Sequence, residues 1–321
     1  MSTQSIVAIQ MDPIDSIKIS TDTSFALGLE AQKRGFQLFY YLASDLTYNN
    51  GDIVASGYYI KFNDDAACHY QYQKAALLNL AKAEYVLIRQ DPPFDMAYIT
   101  TTYLLELLPQ TTLVLNNPAG IRNAPEKLMV AHFKNLAPPT LLTKDLTLIE
   151  NFIDQHDIVI IKPLYDFGGN GIFKITKQDA NLGSLIELYQ RLYKEPFIVQ
   201  RYIPEVEDGD KRIIMIAGNP VGVFKRVPPP HQARSNVRIG GTPKACVLSD
   251  RDKEICNQLK PKFLEMGIHL AGIDVIGDYL TEINVTSPTG MRMMNRMYDL
   301  DLAVNFWDGA EALKKQESLI I

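Results

Sequence analysis

The chain has 321 residues, of which 46% are hydrophobic and 21% are charged, so a disordered chain is excluded and about two domains are expected. With 37 acidic and 32 basic residues the net charge is −5, which makes nucleic acids and anionic membranes poor candidates for partners. We find no membrane-spanning apolar run, no signal-peptide pattern and no zinc-ligand spacing among the three cysteines. We therefore expect a cytoplasmic protein with reduced thiols.

Strand and helix patterns alternate over about the first 120 residues. Asp22 or Ser24 can cap a helix that ends at Gly35. The other predicted elements of this segment are strands at 5–11, 36–43, 85–89 and 111–115 and helices at 72–82 and 96–108. Such alternation is typical of a parallel α/β sheet. Because ligands of these sheets bind at the carboxyl ends of strands, Asp12 and Arg89 are candidate site residues.

The pattern changes after Pro118 and again near residue 205. The middle segment predicts helices at 125–134, 146–156 and 182–193 and strands at 158–162, 172–175 and 197–203. The last segment is richer in strands, which are predicted at 212–217, 221–226, 268–276 and 279–285. Ser249 and Asp252 form a pattern like a capping box at the start of a helix. We expect domain boundaries near 120 and 205.

The first chemical signal is a lysine followed by glycines. Two common nucleotide patterns are missing, the G-x-x-x-x-G-K-[ST] loop and a G-x-G-x-x-G turn after the first strand. Instead, Lys162 ends an apolar strand and the run Gly168-Gly169-Asn170-Gly171 follows it. A buried ammonium needs an anionic partner, and a glycine-rich turn can direct backbone N–H groups at phosphate oxygens. Taken alone, the segment also fits a plain hairpin turn with a lysine that reaches solvent.

A second signal lies on two predicted strands that meet at Gly277-Asp278. Glu282 and Asn284 are two residues apart and therefore point to the same face. Asp274 joins that face only if the connecting loop has an odd number of residues or a strand contains a bulge. Two carboxylates and an amide oxygen would then suit Mg²⁺ completed by water and phosphate oxygens. The alternative is a solvated polar face, although the neighbouring residues are apolar.

A third signal is the charged turn at 208–212, which leads into a strand. Such clusters are mostly solvated surface. The functional interpretation is a ribose or phosphate contact from the strand end, with Arg212 as a bidentate phosphate ligand. The five histidines lack metal-ligand spacing and no G-x-S-x-G elbow is present, so neither a histidine metal site nor a serine triad is indicated.

The order of these motifs resembles the ATP-grasp carboxylate–amine ligases and, within them, the bacterial glutathione synthetase family. The resemblance runs from about Met11 to about Ala310. Its longest and most specific segments are Asp91-Pro92-Pro93-Phe94-Asp95 and Thr281-Glu282-Ile283-Asn284-Val285-Thr286-Ser287-Pro288-Thr289. The shorter motifs are Glu126-Lys127-Leu128, Lys162-Pro163, Gly168-Gly169-Asn170-Gly171, Gln200-Arg201-Tyr202-Ile203 and Asp208-Gly209-Asp210-Lys211-Arg212.

This resemblance implies an ATP-grasp fold with an N-terminal Rossmann-like (pre-ATP-grasp) parallel-sheet domain at 1–120, a lid subdomain at 121–204 and a catalytic subdomain at 205–321. The implied activity joins γ-glutamylcysteine and glycine into glutathione through an acyl phosphate and releases ADP and phosphate. The implied cofactor is Mg²⁺, two ions with ATP, or Mn²⁺ in its place. The family also implies a homo-oligomer, either a dimer or a tetramer.

The resemblance also assigns roles to individual residues. The ATP contacts it implies are Lys127, Lys162, Gly168, Gly169, Asn170, Gly171, Gln200, Tyr202, Ile203 and Asp210. Arg212 and Arg226 would stabilise the charge of the reacting groups, and the metal ligands would be Asp274, Glu282 and Asn284. The implied peptide-substrate contacts are Asp12, Arg89, Asn236, Ser287, Pro288 and Thr289.

The sequence departs from the family pattern at three places. The loop from Arg226 to Asn236 carries three consecutive prolines and lacks the usual glycines and glutamate. Gly171 stands where a serine is usual, and Gln90 where we expect a lysine. Two alternatives therefore stay open: an ATP-grasp ligase with a different acid and amine, and a non-catalytic ATP-binding module.

Overall fold

The computed structural model describes residues 4–229 and 240–318, and within them the strands form three sheets. The first sheet contains β1 (Ile6–Gln10), β2 (Gln37–Tyr41), β3 (Leu46–Asn49), β4 (Asp52–Phe62), β5 (Tyr70–Asn79), β6 (Tyr85–Ile88) and β7 (Leu113–Leu115). Its centre is parallel, in the order β2-β1-β6-β7, as the alternating pattern predicts. Helix α1 (Thr23–Lys33), which Asp22 caps, packs on one face, and α2 (Met96–Glu106) packs on the other.

The predicted helix at 72–82 is wrong. This segment forms β5 and a short 3-10 turn, and β5 pairs antiparallel with β4 from Tyr70 opposite Phe62 to Asn79 opposite Val54. Its Gln, Lys, Ala and Leu residues favour a helix, but the long cross-strand pairing outweighs that weak local preference. The sheet is therefore extended at one edge by antiparallel strands.

The second sheet is antiparallel and has the order β10-β9-β11-β8. After the short α3 (Pro118–Arg122), its elements are β8 (Thr140–Thr143), α4 (Leu146–His156), β9 (Ile158–Lys162), β10 (Phe173–Thr176), α5 (Leu182–Leu192) and β11 (Phe197–Arg201). Two helices cover the core of this sheet with buried side chains, which are Ile149 and Ile153 of α4 and Ile186 and Tyr189 of α5. The helix predicted at 125–134 is reduced to a 3-10 turn at Met129–Phe133.

The third sheet has the order β14-β13-β12-β15-β16. Its elements are β12 (Asp210–Ile216), β13 (Asn219–Val227), β14 (Thr242–Ala245), α6 (Asp250–Glu265), β15 (Leu270–Ile276), β16 (Tyr279–Asn284), α7 (Met291–Tyr298) and α8 (Leu302–Ser318). Helix α6 begins with the capping box of Ser249 and Asp252 that the sequence predicts. It covers one face, whereas α7 and α8 pack on the other.

The last helix joins the first and third sheets. The Trp307 indole donates to the carbonyl of Leu27 at 2.9 Å, and the buried side chain of Asn116 donates to the carbonyls of Leu270 and Val285 at 2.7 and 2.8 Å. The Trp307 contact holds α8 against α1, and the Asn116 contacts hold the carboxyl edge of the first sheet against β15 and the end of β16. We propose that the chain is divided into domains at 1–120, 121–204 and 205–321, with α8 packed on the first domain. None of the helices within 4–229 and 240–318 combines the length and apolar character that a membrane crossing needs.

Candidate active site

A cleft of about 890 Å³ lies where the three sheets meet. Every site residue predicted from the sequence lines this cleft except Gly171 and Asn236, and Asn236 lies outside the described residues. The carboxyl edge of the first sheet, the strand ends and glycine-rich loop of the second, and one face of the third form its walls. Residues that are far apart in sequence are thus brought to one place.

One face of the third sheet is charged near the start of strand β12 and apolar near its end. On β12, Ile214 and Ile216 are buried in the core that α7 and α8 share. Asp210 and Arg212 occupy the same face closer to the start of the strand, where the helices end and the cleft begins. A single strand therefore anchors the sheet and presents charge to the cleft.

The β15–β16 hairpin resolves the register question left by the sequence. Its loop has only two residues, Gly277 and Asp278, because Ile276 pairs with Tyr279. A bulge next to Asp274 then shifts the register, so that Asp274 lies opposite Glu282. The bulge thus brings both carboxylates to one face, which was one of the two ways that the sequence allowed.

Buried ion pairs connect these charges across neighbouring strands. Arg226 on β13 donates to Asp210 on β12 at 2.7 Å, and Arg212 donates to Asp274 on β15 at 2.9 Å. Arg226 also lies 2.9 Å from Asp274. Burial alone would raise the pKa of Asp274, but the two guanidinium groups outweigh it and lower that pKa to about 2. The carboxylate is therefore ionised at neutral pH.

Asp274, Glu282 and Asn284 offer only oxygen atoms to the cleft, which suits a hard cation. Among the described residues, no hydrogen bond or ion pair involves the Glu282 carboxylate. The Asn284 amide donates its N–H to the carbonyl of Gly272 at 3.1 Å, which leaves its oxygen available. No three His, Cys, Asp or Glu side chains within 4–229 and 240–318 form a metal cluster by themselves. Metal binding by this set would therefore need further oxygen ligands from water and phosphate.

Two lysines face these carboxylates from the other side. Lys162, at the end of β9, is only 5% exposed, and its burial lowers the pKa of its ammonium, while the charges of Glu282 and Asp274 act in the opposite direction. Lys127 donates to the main-chain oxygen of Asp166. Positive charge therefore lines the same cleft as the proposed metal ligands.

The glycine-rich loop after β9 requires glycine for its backbone shape. Gly168, Gly169 and Gly171 have φ angles of +68°, +85° and +63°, in the left-handed region that other residues rarely adopt. Gly168 and Gly169 line the cleft, as does Asn170. Beyond this loop, Gln200, Tyr202 and Ile203 form the wall that β11 contributes.

The first sheet closes the cleft with Arg89 and Asp12. Arg89 is 4% exposed and donates to the hydroxyl of Ser24 and to the carbonyl of Pro288, both at 3.0 Å. The hydroxyl of Ser287 donates in return to the carbonyl of Arg89 at 3.1 Å. The segment after β16 is thus tied to the N-terminal sheet.

One cleft residue to which the sequence motifs gave no role is Glu126, although it stands in the motif Glu126-Lys127-Leu128. Its carboxylate accepts a hydrogen bond from Thr286 at 3.0 Å, and burial, followed by the charge of Glu282, raises the pKa of Glu126 to about 7. Its position directly before Lys127 is the only sequence signal that could have identified it. The negative charge of Glu282 thus acts on Glu126 within the same cleft.

Comparison with known proteins identifies the family. The family model for the N-terminal domain of prokaryotic glutathione synthetase matches residues 6–122, and the model for its ATP-grasp domain matches residues 126–299. The chain belongs to the prokaryotic glutathione synthetase family. Curated glutathione synthetases from Mesorhizobium japonicum and Vibrio parahaemolyticus are 48% and 37% identical to it, over 96% and 97% of this chain and 99% of each relative.

Solved structures support the ATP-grasp fold of this glutathione synthetase family member. A D-cycloserine synthetase has a TM-score of 0.67 at 13% identity and covers 97% of this chain and 99% of its own. An ATP-grasp ligase bound to a minimal precursor has a TM-score of 0.62 at 16% identity, with coverage of 97% and 98%. At such low identity these structures establish the fold alone.

Two departures from the glutathione synthetase pattern have visible structural counterparts. Gln90 accepts a hydrogen bond from Gln10 at 2.7 Å, and both side chains are buried. A Cβ atom on Gly171 would approach Pro163 Cγ to 2.8 Å, so glycine is required in this loop. The third departure, in the proline-rich loop, falls mostly on residues 230–239, which lie outside the described residues.

Proposed function

We propose that this chain joins γ-glutamylcysteine and glycine into glutathione and converts ATP to ADP and phosphate. Membership of the glutathione synthetase family supports an ATP-dependent ligase of this kind. The observation that carries the proposal is the bulged β15–β16 hairpin, which aligns Asp274, Glu282 and Asn284 across the cleft from Lys162.

In this proposal the second sheet holds ATP. Lys127 and Lys162 contact its phosphates, and the backbone N–H groups of the loop 168–171 approach them closely because glycine leaves room. The adenine lies against Gln200, Tyr202 and Ile203, and Asp210 lies near the ribose. The low exposure of Lys162 makes it a strong phosphate ligand, because burial without an anion is unfavourable.

Asp274, Glu282 and Asn284 would hold two Mg²⁺ ions, or Mn²⁺ in their place, together with the phosphate groups. When bound, these ions neutralise the charge that develops during phosphoryl transfer. Asp274 already accepts hydrogen bonds from Arg212 and Arg226, so it contributes fewer free lone pairs than Glu282 does. We therefore assign the larger share of metal binding to Glu282.

The reaction begins when an oxygen of the cysteine carboxylate of γ-glutamylcysteine attacks the γ-phosphorus of ATP, and the bond from that phosphorus to ADP breaks so that ADP leaves. A carboxylate is a poor electrophile, and the resulting acyl phosphate gives it a leaving group. The neutral amine of glycine then adds to the acyl carbon, the C–O bond to phosphate breaks, and the nitrogen loses one proton to the departing phosphate or to water. Arg212 and Arg226 line the cleft as fixed guanidinium groups and stabilise the negative charge of both steps, so no acid–base dyad is required.

The peptide substrate would bind between the first and third sheets. Asp12 and Arg89 lie on one side of this position, and Ser287, Pro288 and Thr289 lie on the other. Arg89 contacts Pro288 directly, and this hydrogen bond joins the two sides. Asn236 stays a prediction of the sequence and lies outside the described residues.

A panel of acids and amines tests this function. The purified chain is incubated with ATP and Mg²⁺, and ADP formation and product mass are measured for each pair. We expect glutathione from γ-glutamylcysteine and glycine as the dominant product, with one ADP per glutathione. A dominant product from another pair would indicate a different ATP-grasp ligase, and ATP binding without turnover of any pair would indicate a non-catalytic module.

We also propose that the chain acts in the cytoplasm as a homo-oligomer, either a dimer or a tetramer. The family resemblance supports the oligomer, and the composition supports the compartment. Light scattering coupled to size-exclusion chromatography would give the mass of the assembly, and a monomer at micromolar concentration would contradict this proposal.

A further inference from the structure

Two aromatic rings meet across the rim of the cleft, outside its lining. Tyr165 belongs to the loop between β9 and the glycines, and Phe94 belongs to the segment between β6 and α2 of the N-terminal sheet. Their ring centroids are 6.4 Å apart and the ring planes differ by 29°, which is a stacked arrangement. Tyr165 is 39% exposed and, among the described residues, its hydroxyl makes no hydrogen bond. The stack is a direct contact between the loop that carries Tyr165 and the N-terminal sheet.

Phe94 is itself held in place by the N-terminal core. Its ring packs against that of Tyr98 on α2 with centroids 5.4 Å apart, and Tyr98 is 3% exposed. Just before Phe94 in the chain, the backbone N–H of Asp91 donates to the carboxylate of Asp12 at 2.8 Å. The segment that carries Phe94 thus also orients a residue of the proposed peptide-binding wall.

The residue after Tyr165 anchors the same loop at two more points. The Asp166 carboxylate accepts a hydrogen bond from the Tyr193 hydroxyl at 2.7 Å, and its main-chain oxygen accepts one from Lys127. In contrast, no atom would lie within 4 Å of a Cβ atom on Gly168, two residues further on. The glycine-rich loop is therefore anchored at residues 165 and 166 and again at Gly171, whose carbonyl accepts a hydrogen bond from the Tyr189 hydroxyl.

We propose that Tyr165 is a positioning residue that links ATP binding to binding of the acid substrate. This inference rests on the proposed function. The stack on Phe94 holds the glycine-rich loop against the N-terminal wall of the cleft. When ATP orders the loop, the wall that binds the acid substrate is therefore ordered as well, and the acid substrate has the same effect on the loop. Such coupling is reciprocal, since each ligand must change the affinity of the other by the same factor.

Steady-state kinetics of four variants test the link. Tyr165→Ala and Phe94→Leu remove one ring each, their combination removes both, and Tyr165→Phe keeps the stack. An aromatic pair of this kind corresponds to a factor of about five, so we expect the KM for ATP and the KM for γ-glutamylcysteine each to rise about fivefold in both single variants. We expect kcat to stay within about twofold and the double variant to be no worse than either single one.

Controls separate this role from a loss of stability and from failure of the proposed function. Tyr165→Phe is expected to match the wild type, as is Tyr48→Ala, whose ring is 54% exposed on β3 outside the cleft lining. Unchanged KM values in Tyr165→Ala, a rise in only one of the two KM values, or additive losses in the double variant would each overturn the inference while the ligase assignment stands. A wild-type chain that forms no glutathione would overturn both.

Discussion

The third sheet and the second sheet hold their cleft charges by different means. On the third sheet Arg226, Asp210, Arg212 and Asp274 pair with one another across neighbouring strands. On the second sheet Lys162 is buried without an ion pair among the described residues. A buried charge that pairs with another side chain is already compensated within the fold. A buried charge without such a partner is unfavourable until an anionic ligand binds to it. In our proposal, the paired charges of the third sheet fix the groups that act on the reacting atoms, and the unpaired Lys162 of the second sheet binds the nucleotide.

Among the variants that test this comparison, Glu282→Gln should have the largest effect on activity. The substitution keeps the shape of the side chain but removes the carboxylate to which we assign most of the metal binding, so we expect kcat to fall by about a thousandfold or more. Because no hydrogen bond or ion pair of the described residues involves Glu282, the thermal unfolding midpoint should not fall. Glu265→Gln, on the exposed side of α6, is the matched control and should retain full activity. Wild-type turnover in Glu282→Gln at saturating Mg²⁺ would refute the metal assignment.

Arg212→Gln should affect both activity and stability. It leaves the buried carboxylate of Asp274 with one guanidinium partner instead of two, and breaking a buried pair costs about 3 kcal/mol of unfolding free energy. We expect kcat to fall by about a hundredfold, as after loss of one transition-state donor. Urea unfolding and ADP formation measure the two effects. Arg292→Gln breaks a more exposed pair with Asp64 and should cost less than about 1 kcal/mol; a similar loss in both variants would contradict the comparison.

Lys162→Met should separate ligand binding from folding. Loss of a charge-assisted contact to phosphate should raise the KM for ATP about tenfold to a hundredfold. Removal of an unpaired buried ammonium should leave the unfolding free energy unchanged or higher, which is opposite to the effect of Arg212→Gln. A clear loss of stability in Lys162→Met would show that the lysine is part of the folded structure even without ATP.

Gly168→Ala should have the smallest effect. An added Cβ meets no atom within 4 Å, so the only cost is the φ angle of +68°. That cost is about 1 kcal/mol, and we expect a rise in the KM for ATP of about fivefold. Gly183→Ala is the matched control, because it also meets no atom but lies in α5 with ordinary helical geometry, where alanine should slightly stabilise the fold. Equal KM values for ATP in the two variants would show that the shape of the loop does not matter.

Sequence patterns predicted most elements of the third sheet, yet they could not decide the register of its key hairpin. A three-residue loop and a bulge both bring Asp274 opposite Glu282, and they differ only in where the extra residue lies. The structure contains the bulge, which leaves the loop at two residues. The prediction of a helix at 72–82 was wrong for a related reason, because pairing with β4 determines the structure of this segment and its own composition does not.

Most residues of the candidate site were predicted from the resemblance to the glutathione synthetase family, and only a few stand out by their type alone, such as the lysine at the end of the apolar strand β9. Glu126 and Tyr165 carried no such signal. Their importance comes from contacts with Thr286 and Phe94, which are distant in sequence and approach only when the sheets assemble. A single sequence contains no information on that approach unless the fold is already known.

The most direct test of the account is the transfer of oxygen from substrate to phosphate. With ¹⁸O in both oxygens of the cysteine carboxylate of γ-glutamylcysteine, and with ATP, Mg²⁺ and glycine present, attack on the γ-phosphate leads to one ¹⁸O atom in each phosphate released. Mass spectrometry of the phosphate measures this label. We predict one ¹⁸O per phosphate formed, in step with glutathione; unlabelled phosphate together with glutathione would contradict the acyl-phosphate mechanism.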